Sequence, residues 1–265
     1  MTLVQIIVLA LIQGLTEFLP VSSSAHLILG GKVFGWADQG LVFDVATHLG
    51  TLFAVFVYFR KELLGMARSC LRSRGAQQDR HNRSMVLFLV LASIPALLIG
   101  FLAHDLVEMY LRDVRIIAWT TIGFGILLWF ADRVGAEDRE IGEMNLKSAL
   151  LIGLAQAFAL IPGASRSGVT ITAGRLLGFS ADSAARFSFL LAIPVIAAAG
   201  AYGAMRVFTG EAAIDWLQFV LAMVFAAVAG WICIAAFLAL LKRVGLVPFV
   251  IYRLALGVIL LWLVS

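Results

Sequence analysis

Within ten positions near the amino end stand a carboxylate, three hydroxyls and an imidazole: Glu17, Ser22, Ser23, Ser24 and His26. Gln13, four residues before Glu17, shares its face if the segment is helical. Far downstream, Arg166 sits in Gly163-Ala-Ser165-Arg-Ser167-Gly168. Small residues and hydroxyls around an arginine at a helix start offer backbone N–H groups, Ser oxygens and a bidentate cation, which together suit a phosphate. An acid, a hydroxyl, an imidazole and an arginine beside two helix starts suit phosphoryl transfer. In that chemistry Ser23, His26 or water is the nucleophile, His26 is the base or acid, Glu17 orients His26 or holds a cation, and Arg166 clamps non-bridging oxygens. Gln13, Ser22, Ser24, Gly163, Ser165, Ser167 and Gly168 are candidate substrate contacts. Glu17 is the candidate metal ligand. The plainer reading has the serines only capping, His26 bonding a carbonyl and Arg166 serving as counter-ion to Glu17. Five such groups at a helix break, with Gly and Ser around the arginine, argue for a site instead.

These residues lie in a chain that is 62% hydrophobic and 14% charged, with mean hydropathy +1.00. Soluble domains run about 45–50% apolar and about 25% charged, so a soluble enzyme is excluded. Two far-separated cysteines, Cys70 and Cys233, exclude a disulfide scaffold. The expectation is an all-α polytopic membrane protein forming one integral membrane domain over 1–265. Its net charge of +4 follows the positive-inside bias rather than nucleic-acid binding. The amino end, which lacks Lys and Arg, is not read as a secretory signal.

Six stretches read as crossings: Leu41–Phe59, Met85–Ala103, Ile116–Ala131, Ala184–Met205, Trp216–Leu241 and Val247–Val264. The loop Arg60–Ser84 carries seven Lys/Arg and is placed in the cytoplasm. Alternation from there leaves 12 Lys/Arg inside and 3 outside and puts both termini outside. Two further stretches, Leu3–Gly35 and Leu146–Gly178, are broken by Pro20-Val-Ser-Ser-Ser-Ala-His26 and Pro162-Gly-Ala-Ser-Arg-Ser-Gly168. Their flanks are too short or too polar to cross, so each reads as a re-entrant hairpin. Irregular backbone at that depth is tolerated only where it is buried in protein or lines a wet cavity.

The two hairpins resemble each other. Pro20, Gly31-Lys-Val-Phe-Gly35-Trp and Asp38 match Pro162, Gly174-Arg-Leu-Leu-Gly178-Phe and Asp182 at offsets of 142, 143 and 144. Gly14-Leu-Thr-Glu17 echoes Gly153-Leu-Ala-Gln156 with a three-residue slip. Halves 1–135 and 145–265 each read as a re-entrant hairpin plus three transmembrane helices. Three crossings invert the second half, so this is an inverted-topology repeat with its broken tips meeting near the midplane.

Gln13-Gly-Leu-Thr-Glu17-Phe-Leu-Pro-Val-Ser-Ser-Ser-Ala-His26 and Pro162-Gly-Ala-Ser-Arg-Ser-Gly168 resemble the two signature motifs of the bacterial undecaprenyl-diphosphate phosphatase family, the bacitracin-resistance membrane proteins. Phe187-Ser-Phe-Leu-Leu-Ala-Ile-Pro194 and Ile94-Pro95 extend the resemblance over essentially the whole chain. It implies a multi-pass bacterial inner-membrane enzyme with its site open to the periplasmic side. The enzyme would remove the terminal phosphate of undecaprenyl diphosphate, recycle the lipid carrier for the cell wall, confer bacitracin resistance and depend on a divalent cation, Mg2+ or Ca2+. Partners are then the lipid substrate and membrane lipids, with homo-oligomerisation open. The family's first motif is Glu or Gln, three residues, then Glu. Gln13 fills the first place here, so Glu17 alone supplies a carboxylate.

The lesser signals are Asp44 and His48 at a cavity mouth or interface, His81 and His104 in loops, and Pro95 and Pro194 as kinks. A secondary transporter or lipid flippase is the competing reading. A transporter has no need of Ser23, His26 and Arg166 together, and a scaffold has none for Glu17 and Arg166 at depth.

Overall fold

Polar caps mark most helix starts. Thr2 forms a capping box with Gln5, and Ser22, Asp113, Asn145, Ser165 and Asp215 each accept a backbone N–H from the first turn that follows them. The computed structural model describes residues 1–37, 39–71, 77–111, 113–135, 139–209 and 214–264, apart from the side chains of 32, 104–108 and 208. Asp38, the His104 side chain and Ser265 lie outside the described residues. The helices are α1 Leu3–Phe18, α2 Ser23–Phe34, α3 Gly40–Tyr58, α4 Arg60–Leu71, α5 Gln77–Tyr110, α6 Val114–Val134, α7 Leu146–Gln156, α8 Arg166–Leu176, α9 Ala181–Thr209, α10 Trp216–Val244 and α11 Val247–Trp262. A 3-10 turn, Ala157–Leu160, continues α7. The described residues hold one isolated β-bridge, Arg139 to Phe179, and no strand.

Five of these helices, α3, α5, α6, α9 and α10, are long and apolar enough to cross a membrane. Their outer faces carry large exposed apolar side chains such as Phe53, Leu98, Phe101, Trp119 and Val228. A soluble protein does not leave such faces open on every side, whereas lipid covers them. The chain is therefore an all-helical, multi-pass membrane protein. The expected sixth crossing, α11, has 16 residues, about 24 Å at 1.5 Å per residue, and stands with α1 and α7 among the shorter apolar helices.

One expectation needs correction. The charged stretch 60–84, expected as a loop, is helical over its described residues, 60–71 and 77–84. The backbone runs helically as α4 and then as the first two turns of α5, where His81 also lies. Ser69 donates to Asp79 at 2.8 Å and accepts from Asn82 at 3.0 Å, which ties α4 to α5. Pro95 and Pro194 lie inside α5 and α9, which continue through them. Cys70 is exposed and Cys233 buried, both free thiols.

Small residues let the helices approach. A Cβ on Gly14 of α1 would lie 2.6 Å from the Ala226 carbonyl oxygen of α10, and one on Gly153 of α7 would collide with the Ala92 carbonyl of α5. Between helices already in lipid, such close backbone packing replaces the hydrophobic drive as the source of association. Buried hydroxyls in these interfaces return to their own helix, as Thr47 does to Phe43, Ser93 to Leu89 and Thr121 to Ile117. Arg175, 1% exposed, pins the end of α8 by donating to the Phe179 carbonyl at 2.8 Å and pairing with Asp132 at 3.2 Å.

Candidate active site

α1 ends at Phe18, Leu19 to Ser22 are irregular, and α2 starts at Ser23. α7 and its 3-10 turn end at Leu160, and α8 starts at Arg166. Ser23 and Arg166 are thus the first residues of two helices. Each follows a serine cap with positive φ, 71° at Ser22 and 68° at Ser165. Such a backbone costs a non-glycine residue about 1–3 kcal/mol and persists only where surroundings over-determine it. Here they do. Ser22 Oγ accepts from Ala25 N and meets Ser24 Oγ at 3.1 Å, while Ser165 Oγ accepts from Gly168 N and meets Ser167 Oγ at 3.2 Å.

The two irregular segments touch. Ser167 Oγ donates to the Leu19 carbonyl at 2.8 Å, and Ser165 Oγ reaches the same oxygen at 3.5 Å. Arg253 of α11, fully buried, binds both segments. Its Nη1 donates to the Pro20 and Ala164 carbonyls at 3.1 and 3.0 Å, its Nη2 to Gly163 at 2.9 Å and its Nε to Thr121 of α6 at 3.1 Å. This residue escaped the sequence reading, although an arginine in the middle of a 16-residue apolar helix was a signal in itself. Arg253→Met should leave these carbonyls without partners at about 1–3 kcal/mol each. The expected result is a clearly lower melting temperature in detergent together with loss of activity, whereas an unchanged melting curve would remove Arg253 from this role.

Glu17, 9% exposed at its side chain, is the centre of the constellation. Its Oε1 receives Arg166 Nη2 at 3.2 Å, and its Oε2 receives Gln13 Nε2 at 2.9 Å and Ser23 Oγ at 3.2 Å. Arg166 Nη1 donates to the Ser188 carbonyl of α9 at 3.1 Å, which fixes the guanidinium plane. Gln13 also meets His48 Nε2 of α3 at 3.4 Å. The opposite nitrogen of His48 faces the Asp44 carbonyl at 2.7 Å, so Nδ1 carries the proton and Nε2 accepts from the amide. His48, which the spacing had placed no deeper than a cavity mouth, thereby joins the network.

Of the residues singled out in the sequence, Gln13, Glu17, Ser23 and Arg166 come together. Gln13, Ser23, Ser24, Asp44 and His48 line a polar cavity of about 610 Å³. His26 bonds to other partners than Ser23. Its Nδ1 faces the Ser22 carbonyl at 2.7 Å, and its Nε2 meets the Tyr252 hydroxyl of α11 at 2.6 Å. Three residues along a helix turn the side chain by about 60° from Ser23, and stacking on Tyr252 holds it there. Gly163 and Gly168 serve close approach. A Cβ on Gly163 would strike the Thr120 hydroxyl and the Ile117 carbonyl, and one on Gly168 would lie 2.8 Å from Arg253 Nη1. Ser22, Ser165 and Ser167 are spent on caps and on joining the two segments.

No group of three or more His, Cys, Asp or Glu that could hold a metal occurs among the described residues. The Gln13 Oε1 atom is buried without a partner, next to the Glu17 carboxylate. One carboxylate and one free amide oxygen do not make a protein cage for a hard cation. They do suit a cation completed by substrate oxygens, as Mg2+ usually is.

The profile of the family described as bacitracin resistance protein BacA matches residues 6–259. The chain belongs to this family. Among BacA-like relatives, undecaprenyl-diphosphatase 1 of Pseudoalteromonas translucida is 52% identical over 258 residues, covering 97% of each chain. Undecaprenyl-diphosphatase 2 of Stutzerimonas stutzeri is 52% identical over 268 residues, 100% of this chain and 99% of the relative. Undecaprenyl-diphosphatase of Teredinibacter turnerae is 51% identical over 260 residues, 98% of each. BacA similarity at this level spans both irregular segments, α3 and α11, and so the entire constellation.

Proposed function

We propose that this chain is a membrane phosphatase that hydrolyses undecaprenyl diphosphate to undecaprenyl phosphate and inorganic phosphate, with Ser23 as nucleophile. The single observation that carries the mechanism is the Ser23–Glu17–Arg166 contact at the meeting point of two helix starts. The names of the relatives supply the substrate. Ser23 Oγ attacks the terminal phosphorus as Glu17 takes its proton. The bond from phosphorus to the bridging oxygen breaks, and undecaprenyl phosphate leaves with the electron pair and takes the proton back from Glu17. Water then attacks the phosphoserine, its proton passing to the freed Glu17 carboxylate, and phosphate departs as Glu17 returns that proton to Ser23 Oγ. The arginine and the positive ends of α2 and α8 hold charge on the equatorial oxygens. A divalent cation would be held by Glu17 and Gln13 Oε1 together with the diphosphate, and it would supply neutralisation of diphosphate charge. His26 acts through the start of α2, because both of its nitrogens are engaged elsewhere.

Phosphate release from undecaprenyl or farnesyl diphosphate by purified protein tests the activity, and no release would overturn it. Chelator should abolish turnover, and Gln13→Glu, which adds a second carboxylate, should lower the cation concentration needed for half-maximal rate by about tenfold.

The reading extends to placement: a bacterial inner-membrane enzyme, open to the periplasm, recycling the wall-lipid carrier and thereby countering bacitracin. The halves form an inverted repeat of re-entrant hairpins. This is supported by the matched caps Ser22 and Ser165 and by the matched close approaches of Gly14 and Gly153. Cys70, exposed on α4, gives a natural handle. It should react with an impermeant thiol reagent only after permeabilisation, while Thr2→Cys in a Cys70→Ser background should react in intact spheroplasts. Labels on Thr2→Cys and Val264→Cys appearing on opposite faces would contradict the inverted repeat.

A further inference from the structure

Beside the polar cavity lies a second, apolar one of about 540 Å³ between α5 and α9. Its walls are residues such as Ala96, Phe101, Ala199 and Tyr202, with Phe101 and Tyr202 exposed at its edge. Two polar side chains interrupt this lining: Gln156, the last residue of α7, and Arg166. Gln156 is 2% exposed, yet neither its amide oxygen nor its amide nitrogen has a hydrogen-bond partner, and Arg166 Nε is buried and unpartnered as well. Buried amides and guanidinium N–H groups are almost always satisfied. Two side chains that line one apolar slot carry three unmet polar atoms, and the two donors among them, Gln156 Nε2 and Arg166 Nε, suit an anion attached to a hydrocarbon chain.

Ala159 and Leu160 line both cavities, so the two chambers adjoin along the 157–160 turn. Arg166 links the two, with Nη2 on Glu17, its side chain among the lining of the apolar chamber and its Nε without a partner. Resting on the phosphatase reading above, we infer that the lipid diphosphate lies across this boundary. Its terminal phosphate is at Ser23, its chain-linked phosphate is on the Gln156 amide and Arg166 Nε, and its head-proximal prenyl units lie between α5 and α9. Gln156 is thus a binding residue for the phosphate that stays with the lipid. The site accordingly accepts the product, undecaprenyl phosphate, as well as the substrate.

This makes an expectation that a structural glutamine would not share. Gln156→Leu removes an unsatisfied buried amide, so the melting temperature should hold or rise. The KM for undecaprenyl diphosphate should nevertheless rise about tenfold, with inhibition by undecaprenyl phosphate weakened by the same factor and kcat nearly unchanged, as for a contact made equally in ground and transition states. Ala199→Phe, at the exposed rim, narrows the slot without touching the amide and should move KM and product inhibition in the same direction. Unchanged KM and unchanged product inhibition in either folded variant would overturn the inference and leave the Ser23 mechanism standing. Failure of the Ser23 mechanism would show instead as turnover by Ser23→Ala, with undecaprenyl phosphate still bound more weakly by Gln156→Leu than by the unsubstituted protein.

Discussion

Ser23→Ala is expected to reduce phosphate release by on the order of 10⁴-fold or more, as loss of a nucleophile does elsewhere, while undecaprenyl phosphate still binds. The substitution deletes one hydroxyl at the first position of α2 and leaves the Ser22 cap, the bridge from Ser167 to Leu19 and the Glu17–Arg166 pair in place. Folding and lipid binding should therefore survive, and the loss should fall on kcat. His26→Ala will also cost activity, by a different route. It cuts the link from the Ser22 carbonyl to Tyr252 that steadies the turn on which Ser23 stands, and Tyr252→Phe should shift activity in the same direction. Substantial turnover by Ser23→Ala would remove the serine mechanism.

Arg166→Lys is expected to lower kcat/KM by about 10²-fold or more, the usual weight of one oriented transition-state donor. Arg166 holds the Ser188 carbonyl with Nη1 and Glu17 with Nη2, and its Nε has no partner within the protein. A lysine keeps the charge but not the planar fork, so it cannot serve three directions at once. Because the charge opposite Glu17 is retained, the protein should fold. Near-normal turnover would reduce Arg166 to a counter-ion.

Local spacing revealed much of the framework. The breaks at Pro20 and Pro162, the cap at Ser22, the helix start at Arg166 and the meeting of both motifs all follow from short-range pattern, since each depends on residues within one or two turns or on a repeated motif. Direction was harder. His26 and Ser23 are three apart, yet Tyr252, 226 positions away, decides where the imidazole points. His48 reaches Gln13 only because α3 packs beside α1. Arg253 and Gln156 were visible as polar residues in apolar surroundings, but their meaning lies in what they face, which is a cage of carbonyls in one case and an apolar cavity in the other. The charged stretch 60–84 was read from its Lys and Arg content, which speaks to side of membrane and not to backbone, and its helicity went unseen.

The central claim is that phosphorus passes through Ser23. Substrate labelled in its terminal phosphate, mixed with enzyme and quenched in acid within a turnover, should yield an acid-stable phosphoserine on the peptide that contains residue 23. An acid-labile, base-stable adduct on His26 would contradict the account.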